Sequence, residues 1–170
     1  MKKIIFVKLL LLLGVFNVLI AQENIFDDID SNEPAQVDNS HVVFNKSSIW
    51  ENNFEDAVLR AKQQDKPILL YFTGSDWCGP CKMLDSELFH SQEFIDFAES
   101  KLVLYKADFP MNRDLVSTDK KIINQKLSKR YNQTSFPTIL ILNAQGDLLG
   151  KKEGTYMAEY YFPFFKEYTN

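Results

Sequence analysis

Pro67-Ile68-Leu69-Leu70-Tyr71-Phe72, then Thr73-Gly74-Ser75-Asp76, then Trp77-Cys78-Gly79-Pro80-Cys81-Lys82 is the stretch that decides how this chain folds. The run from Pro67 to Phe72 reads as a buried strand, and Lys82 to Phe89, with Met83, Leu84 and Leu88, reads as a helix. Between them stand the only two cysteines of the 170 residues, two positions apart. A thiolate is the nucleophile in sulfur exchange, and an unperturbed cysteine is mostly protonated at neutral pH. A cysteine in the first turn of a helix faces unpaired backbone N–H groups and the positive end of the helix dipole, which lowers its pKa. Two intervening residues let the second sulfur swing under the first and close a small disulfide. Pro80 falls in the first helical turn, where its missing N–H costs nothing. The spacing therefore predicts Cys78 as attacking thiol and Cys81 as resolving thiol.

Two plainer readings of the pair carry less. A Cys-x-x-Cys can be half of a zinc site, but a structural site needs four ligands. His41 and His90 are the only histidines, and neither stands at ligand-like spacing, so no metal is expected. A purely structural disulfide over so short a loop would constrain little of the unfolded chain.

The hexapeptide Trp77-Cys78-Gly79-Pro80-Cys81-Lys82 is, unaltered, the hallmark of the thioredoxin superfamily, and the chain resembles that superfamily from about Ile49 onward. The resemblance implies a thioredoxin-like α/β fold, a central mixed sheet flanked by helices in a single domain. It implies that Ser135-Phe136-Pro137-Thr138 holds a cis-proline facing the active site. Phe136 would then offer its backbone groups to an extended substrate strand, a form of strand addition. It further implies that Trp77 shapes the substrate groove and that Gly154 lets substrate approach closely. Gly79, Pro80 and Lys82 complete the active-site motif. Lys82 is read as solvated on the helix surface, with a modest electrostatic effect on the Cys78 thiolate.

Two departures from the family pattern stand out. Thioredoxins usually carry a buried acid in the strand before the motif, which takes a proton from the resolving thiol; here Tyr71 holds that position. A phenol with a pKa of about 10 is a poor base at neutral pH. The link Thr73–Asp76 is also about one residue longer than in thioredoxin. Asp76 is read as an exposed loop aspartate, with the proton-acceptor role as the alternative. Both features resemble exported members of the superfamily more than cytoplasmic ones.

The chain outside the motif is read as follows. Met1 to Ala21 is a secretion signal: Lys2, Lys3 and Lys8 make a basic start, Ile4 to Ile20 is mostly apolar, and Ala21 suits a cleavage position. Lys8 shortens the uninterrupted apolar stretch to about a dozen residues, against the roughly 20 of a spanning helix. Uncleaved, the segment would be a membrane tether. Losing its three lysines takes the net charge from −4 to −7, which argues against nucleic acid or an anionic membrane as partner. Gln22 to Ser48 is an acidic, polar leader without periodicity. Asn45-Lys46-Ser47 and Asn132-Gln133-Thr134 match a glycosylation pattern of low specificity.

The folded domain is expected over 49–170. Phe54, Ala57, Val58 and Ala61 share one face of a helix from about Asn53 to Gln64. A break near His90-Ser91 precedes a second helical piece with Phe94, Ile95, Phe97 and Ala98, and Leu102 to Ala107 is a strand. Asp119 to Tyr131 reads as a helix with Ile122, Ile123, Leu127 and Tyr131 on its inner side. Thr138–Leu142 and Leu148–Lys152 form a hairpin across Asn143–Asp147. Thr155 to Tyr168 reads as a closing helix with an aromatic stripe, kinked at Pro163.

Together these features predict an exported enzyme, periplasmic if bacterial, that acts on protein disulfides through a Cys78/Cys81 dithiol–disulfide cycle without a metal or organic cofactor. The net direction is read as reduction, because Gly79-Pro80 resembles the reducing members of the superfamily, with a membrane-bound electron donor as partner. The alternatives are a disulfide oxidase or isomerase, and a non-catalytic binding protein on the same fold.

Overall fold

The computed structural model describes residues 48–169. The segment read as a secretion signal and almost all of that read as an acidic leader, with His41 and the Asn45 sequon, lie outside the described residues.

The order of elements is β1 (Trp50–Glu51), α1 (Phe54–Gln64), β2 (Ile68–Thr73), α2 (Gly79–Leu84), a π turn (Asp85–Phe89), α3 (Gln92–Lys101), β3 (Val103–Asp108), a 3-10 turn (Arg113–Leu115), α4 (Thr118–Arg130), β4 (Thr138–Leu142), β5 (Leu148–Glu153), a second 3-10 turn (Ala158–Tyr160) and α5 (Tyr161–Glu167). The sheet runs β1-β3-β2-β4-β5. β1 and β2 lie parallel to β3, whereas β4 is antiparallel to both β2 and β5. This is the mixed, helix-flanked sheet that the sequence predicts.

The central strand β2 is buried along its whole length because both sheet faces are covered. Alternation along the strands sends Leu69, Tyr71, Leu104, Ile139 and Ile141 to one face, where Leu84, Leu88, Phe94, Tyr161 and Phe165 pack on them. The intervening positions look the other way, toward α1 and α4, and Phe54 of α1 meets Tyr105 edge-on at 5.4 Å. The helix starts are capped locally: Asn53, Ser91 and Ser117 each accept a backbone N–H from the first turn.

Four features differ from the sequence reading. β1 was not anticipated; two residues carry no periodicity, and the strand exists only through its register with Leu104 and Tyr105. The helix after the cysteines ends in a π turn, with His90 N–H bonded to Asp85 O at 3.1 Å, which lets Leu84, Leu88 and Phe89 all face the core. On α4 the inner side is Asn124 and Leu127, while Ile122 is exposed. The C-terminal helix starts at Tyr161, so Met157 and Tyr160 are exposed, and Pro163 sits in the first turn, where it opens the helix instead of kinking it.

Asn124 is a fully buried amide with two long-range partners. It accepts from Tyr105 Oη at 2.8 Å and donates to the Asp108 carbonyl at 2.9 Å. Asn124→Ala strands a buried hydroxyl and a carbonyl together, so a loss of about 2 kcal/mol is expected in urea unfolding. The loss should shrink when Tyr105→Phe is made in the same chain, because the phenol then no longer needs an acceptor.

Candidate active site

β2 delivers the chain through Gly74–Trp77 directly to the start of α2, and Cys78 is the N-cap of that helix. The Cys78 Sγ accepts the Cys81 backbone N–H at 3.2 Å, the local contact that favours a thiolate at this position. The two cysteines form a disulfide, with Cys78 4% exposed and Cys81 fully buried. Only Cys78 therefore offers a sulfur to an incoming group. Gly79 and Pro80 are exposed on the first turn, and Pro80 lacks only an N–H that the turn would leave unpaired.

The other residues named from the sequence gather around the pair. Trp77 is 42% exposed, lies edge-on to Phe136 with ring centres 5.7 Å apart, and donates its indole N–H to Phe109 O at 2.9 Å. The indole lies so close over Gly74 that a Cβ there would strike its ring, so the longer link needs glycine at this point. The Phe136–Pro137 peptide is cis. Among the described residues, nothing pairs with the backbone N–H or C=O of Phe136. Gly154 sits at φ 83°, a left-handed conformation that side chains disfavour; its N–H bonds to Pro137 O at 2.9 Å, and the space above its Cα is open. Lys82 is exposed, and its ammonium donates to the Asp76 carbonyl at 2.7 Å.

Tyr71 lies beneath the cysteines, fully buried, with its hydroxyl 3.3 Å from Cys81 O as donor. Burial drives its ionisation far above the ordinary phenol range, so it is neutral at any physiological pH. Several neighbours were not singled out from the sequence. Lys106, paired in register with Tyr71, forms an ion pair with Asp85 at 2.8 Å and lies over the rings of Trp50 and Tyr71 at 5.0 and 5.7 Å. Asp108 accepts from the backbone and the hydroxyl of Ser75 at 2.9 and 2.6 Å. The only advance signal for Lys106 was a lone cation inside an apolar strand. Among the described residues, no group of three or more His, Cys, Asp and Glu side chains is arranged to hold a metal ion.

Asp76 stands in the link before Cys78, as read, and its carboxylate is bonded to the chain after β3. Its two carboxylate oxygens take the N–H groups of Met111 and Asn112 at 2.9 and 2.8 Å, and these bonds hold its pKa below the usual carboxylate range.

Comparison with known proteins agrees with this geometry. The model of the thioredoxin-like domain matches residues 54–169. Disulfide bond reductase DsbH of Chlamydia pneumoniae is 35% identical over 102 residues, which cover 60% of this chain and 60% of that protein. Thioredoxin-related protein DsbJ of the same organism is 28% identical over 97 residues, 57% of this chain and 28% of that protein. The chain thus spans 60% or less of the length of these two relatives. Among solved structures, a DsbH oxidoreductase superimposes with TM-score 0.63 at 31% identity, covering 71% of this chain and 83% of the other. The oxidised C-terminal domain of DsbD from Neisseria meningitidis shares the fold at TM-score 0.52 and 18% identity, over 68% of this chain and 91% of that one.

The buried phenols set an alkaline limit on the domain. Unfolded tyrosines ionise at about pH 10. In the fold, burial holds Tyr71 and Tyr105 well above that and pushes Tyr131 up to about 12. Their raised folded-state pKa values contribute stability that is complete below about pH 10 and is lost as pH rises through the folded values. Urea midpoints should therefore fall between about pH 9 and about pH 11, with a shallower fall in Tyr71→Phe. An equal fall in the variant would mean that Tyr71 ionises freely in the folded protein.

Proposed function

The chain belongs to the thioredoxin-like domain family, and from that premise we propose that it is a thiol–disulfide oxidoreductase that reduces disulfides of exported proteins. The observation that carries this reading is the Cys78–Cys81 disulfide at a helix start, with Cys78 the sulfur nearer solvent and already accepting a backbone N–H.

In the reduced enzyme the Cys78 thiolate attacks one sulfur of a substrate disulfide. That bond breaks, the substrate's other sulfur leaves as a thiolate and takes a proton, and a mixed disulfide with Cys78 remains. Cys81 then loses its proton and attacks the Cys78 sulfur, which releases the second substrate thiolate. Two electrons pass from the cysteine pair to the substrate, and the enzyme is left in the disulfide form. Trp77, the backbone groups of Phe136 beside the cis-Pro137, and the open space over Gly154 receive the substrate strand. The cycle uses no metal or organic cofactor. A dithiol donor must restore the reduced pair, and a membrane-bound donor fits an exported protein in an oxidising compartment.

The reducing direction is supported by how little stabilises the Cys78 thiolate. Whatever favours that thiolate favours the reduced pair and makes the disulfide a stronger oxidant. Here the support is one backbone N–H at a helix start; Gly79 and Pro80 bring no charge between the sulfurs, and the Lys82 ammonium is bonded to Asp76 O. The resemblance to a protein named as a disulfide bond reductase supports the same direction. The secretion signal read in Met1–Ala21 supports an exported location, the periplasm in a bacterial source.

Cys81→Ser should accumulate covalent adducts with substrate proteins that dithiothreitol releases; a variant that forms no adducts rules out the two-cysteine mechanism. Equilibration of the wild-type pair in thiol buffers should give a potential of about −270 mV. A value of about −180 to −120 mV would assign the protein to isomerisation or oxidation instead.

A further inference from the structure

We propose that Asp76 is a positioning residue that clamps the segment after β3 beside the cysteines, so that Met111 forms a second apolar wall of the substrate groove. The inference rests on the disulfide-exchange reading and adds a substrate class to it: extended polypeptide with apolar side chains next to its cysteine.

The segment Phe109–Asn112 belongs to no helix or strand, yet it is tied at several points to the link before Cys78. Phe109 N–H bonds to Thr73 O at 2.8 Å, and the Trp77 indole N–H bonds to Phe109 O at 2.9 Å. Asp76 takes Met111 N–H on one carboxylate oxygen and Asn112 N–H on the other. A carboxylate that accepts two backbone N–H groups stays ionised at neutral pH, so these bonds are charge-assisted and stronger than neutral ones. The clamp thus ties the backbone after β3 to the residue before Trp77.

Two consequences follow. Phe109 lies 5.4 Å from Phe136, so the rings of Trp77, Phe109 and Phe136 form one cluster next to Cys78. Met111 projects from the clamped backbone with 75% of its surface exposed. A single exposed apolar residue is ordinary, but this one is held by its own backbone N–H to the residue that precedes Trp77. A methionine side chain adapts to apolar partners of varied shape, which suits a groove that must accept many sequences. The N–H and C=O of Phe136, unpaired among the described residues, fix the substrate main chain, and Met111 and Trp77 then contact the side chains that flank its cysteine.

The test compares insulin, a protein disulfide, with bis(2-hydroxyethyl) disulfide, which has no polypeptide flanks. Full-length wild-type protein, Asp76→Ala and Met111→Ser are assayed with dithiothreitol as donor. KM for insulin should rise by about threefold or more in both variants, with kcat within about twofold of wild type. The rate with the small disulfide should stay within about twofold. Asp76→Asn, which keeps one acceptor oxygen, should fall between wild type and Asp76→Ala. Met111→Ser removes an exposed side chain and leaves the core intact, so it answers even if Asp76→Ala unfolds. An unchanged KM for insulin in Met111→Ser overturns the proposed wall. An equal slowing of both substrates in Asp76→Ala places Asp76 at the cysteines and overturns its positioning role. A wild-type protein that reduces neither compound overturns the disulfide-exchange reading itself.

Discussion

Burial of β2 on both faces and hydrogen bonding along both its edges is the constraint from which the site is built. Ile68 through Thr73 are each fully buried, flanked by β3 on one side and β4 on the other. A strand held this way cannot slip by one residue, since a slip would exchange every side chain between the two faces. Tyr71 would then leave the underside of α2, and Leu70 would lie beneath Cys81. The register therefore sets the depth at which β2 ends, and with it the place where Gly74 turns the chain under Trp77 and into the helix. The position of the Cys78 sulfur depends on apolar packing more than on any contact that the sulfur makes itself.

The same register brings the far side of the site into place. Thr73 is aligned with Asp108, the last residue of β3, so the link after β2 and the segment after β3 leave the sheet side by side. Ser75 bonds to Asp108, and Asp76 bonds to Met111 and Asn112, across a gap that parallel pairing has already closed. These polar contacts need no long-range ordering of their own, because the sheet has supplied it. On the other flank, antiparallel pairing of β2 with β4 sets Phe72 opposite Thr138, which puts Pro137 and Phe136 next to the start of α2.

How much of this could be read from residues alone follows from the range of each interaction. The run Ile68–Phe72, the helical spacing of Phe54, Ala57, Val58 and Ala61, and the turn-flanked pair β4–β5 are local patterns, and they appear as read. The hexapeptide carries its chemistry in six adjacent residues. By contrast, the Asp76 clamp joins residues 35 and 36 positions apart, and nothing near Asp76 announces its partners. Apolar periodicity favours Ile122 over Asn124, because the partners of the amide, Tyr105 and Asp108, lie far off in sequence on β3. The C-terminal stripe misled for a related reason. Aromatic spacing continues upstream through Met157 and Tyr160, but burial begins in earnest only at Tyr161, and those two side chains stay exposed.

Tyr71 shows how one substitution reorganises charge around a redox pair. A carboxylate at this position would be fully buried and, if ionised, would require a compensating charge or several donors. A tyrosine avoids that cost, since its phenol stays neutral and its hydroxyl finds Cys81 O. Lys106, aligned with Tyr71 on the neighbouring strand, is then left without a carboxylate there; it finds one in Asp85, one helical turn after Cys81, and rests against the faces of Trp50 and Tyr71. Lys106 and Asp85 thus form a pair of their own beside α2, and the Tyr71 phenol directly beneath Cys81 is neutral. The cost falls on proton transfer, because a neutral phenol offers Cys81 no base. In the proposed cycle the proton of Cys81 leaves to solvent or to the substrate, since the neutral phenol is not its acceptor.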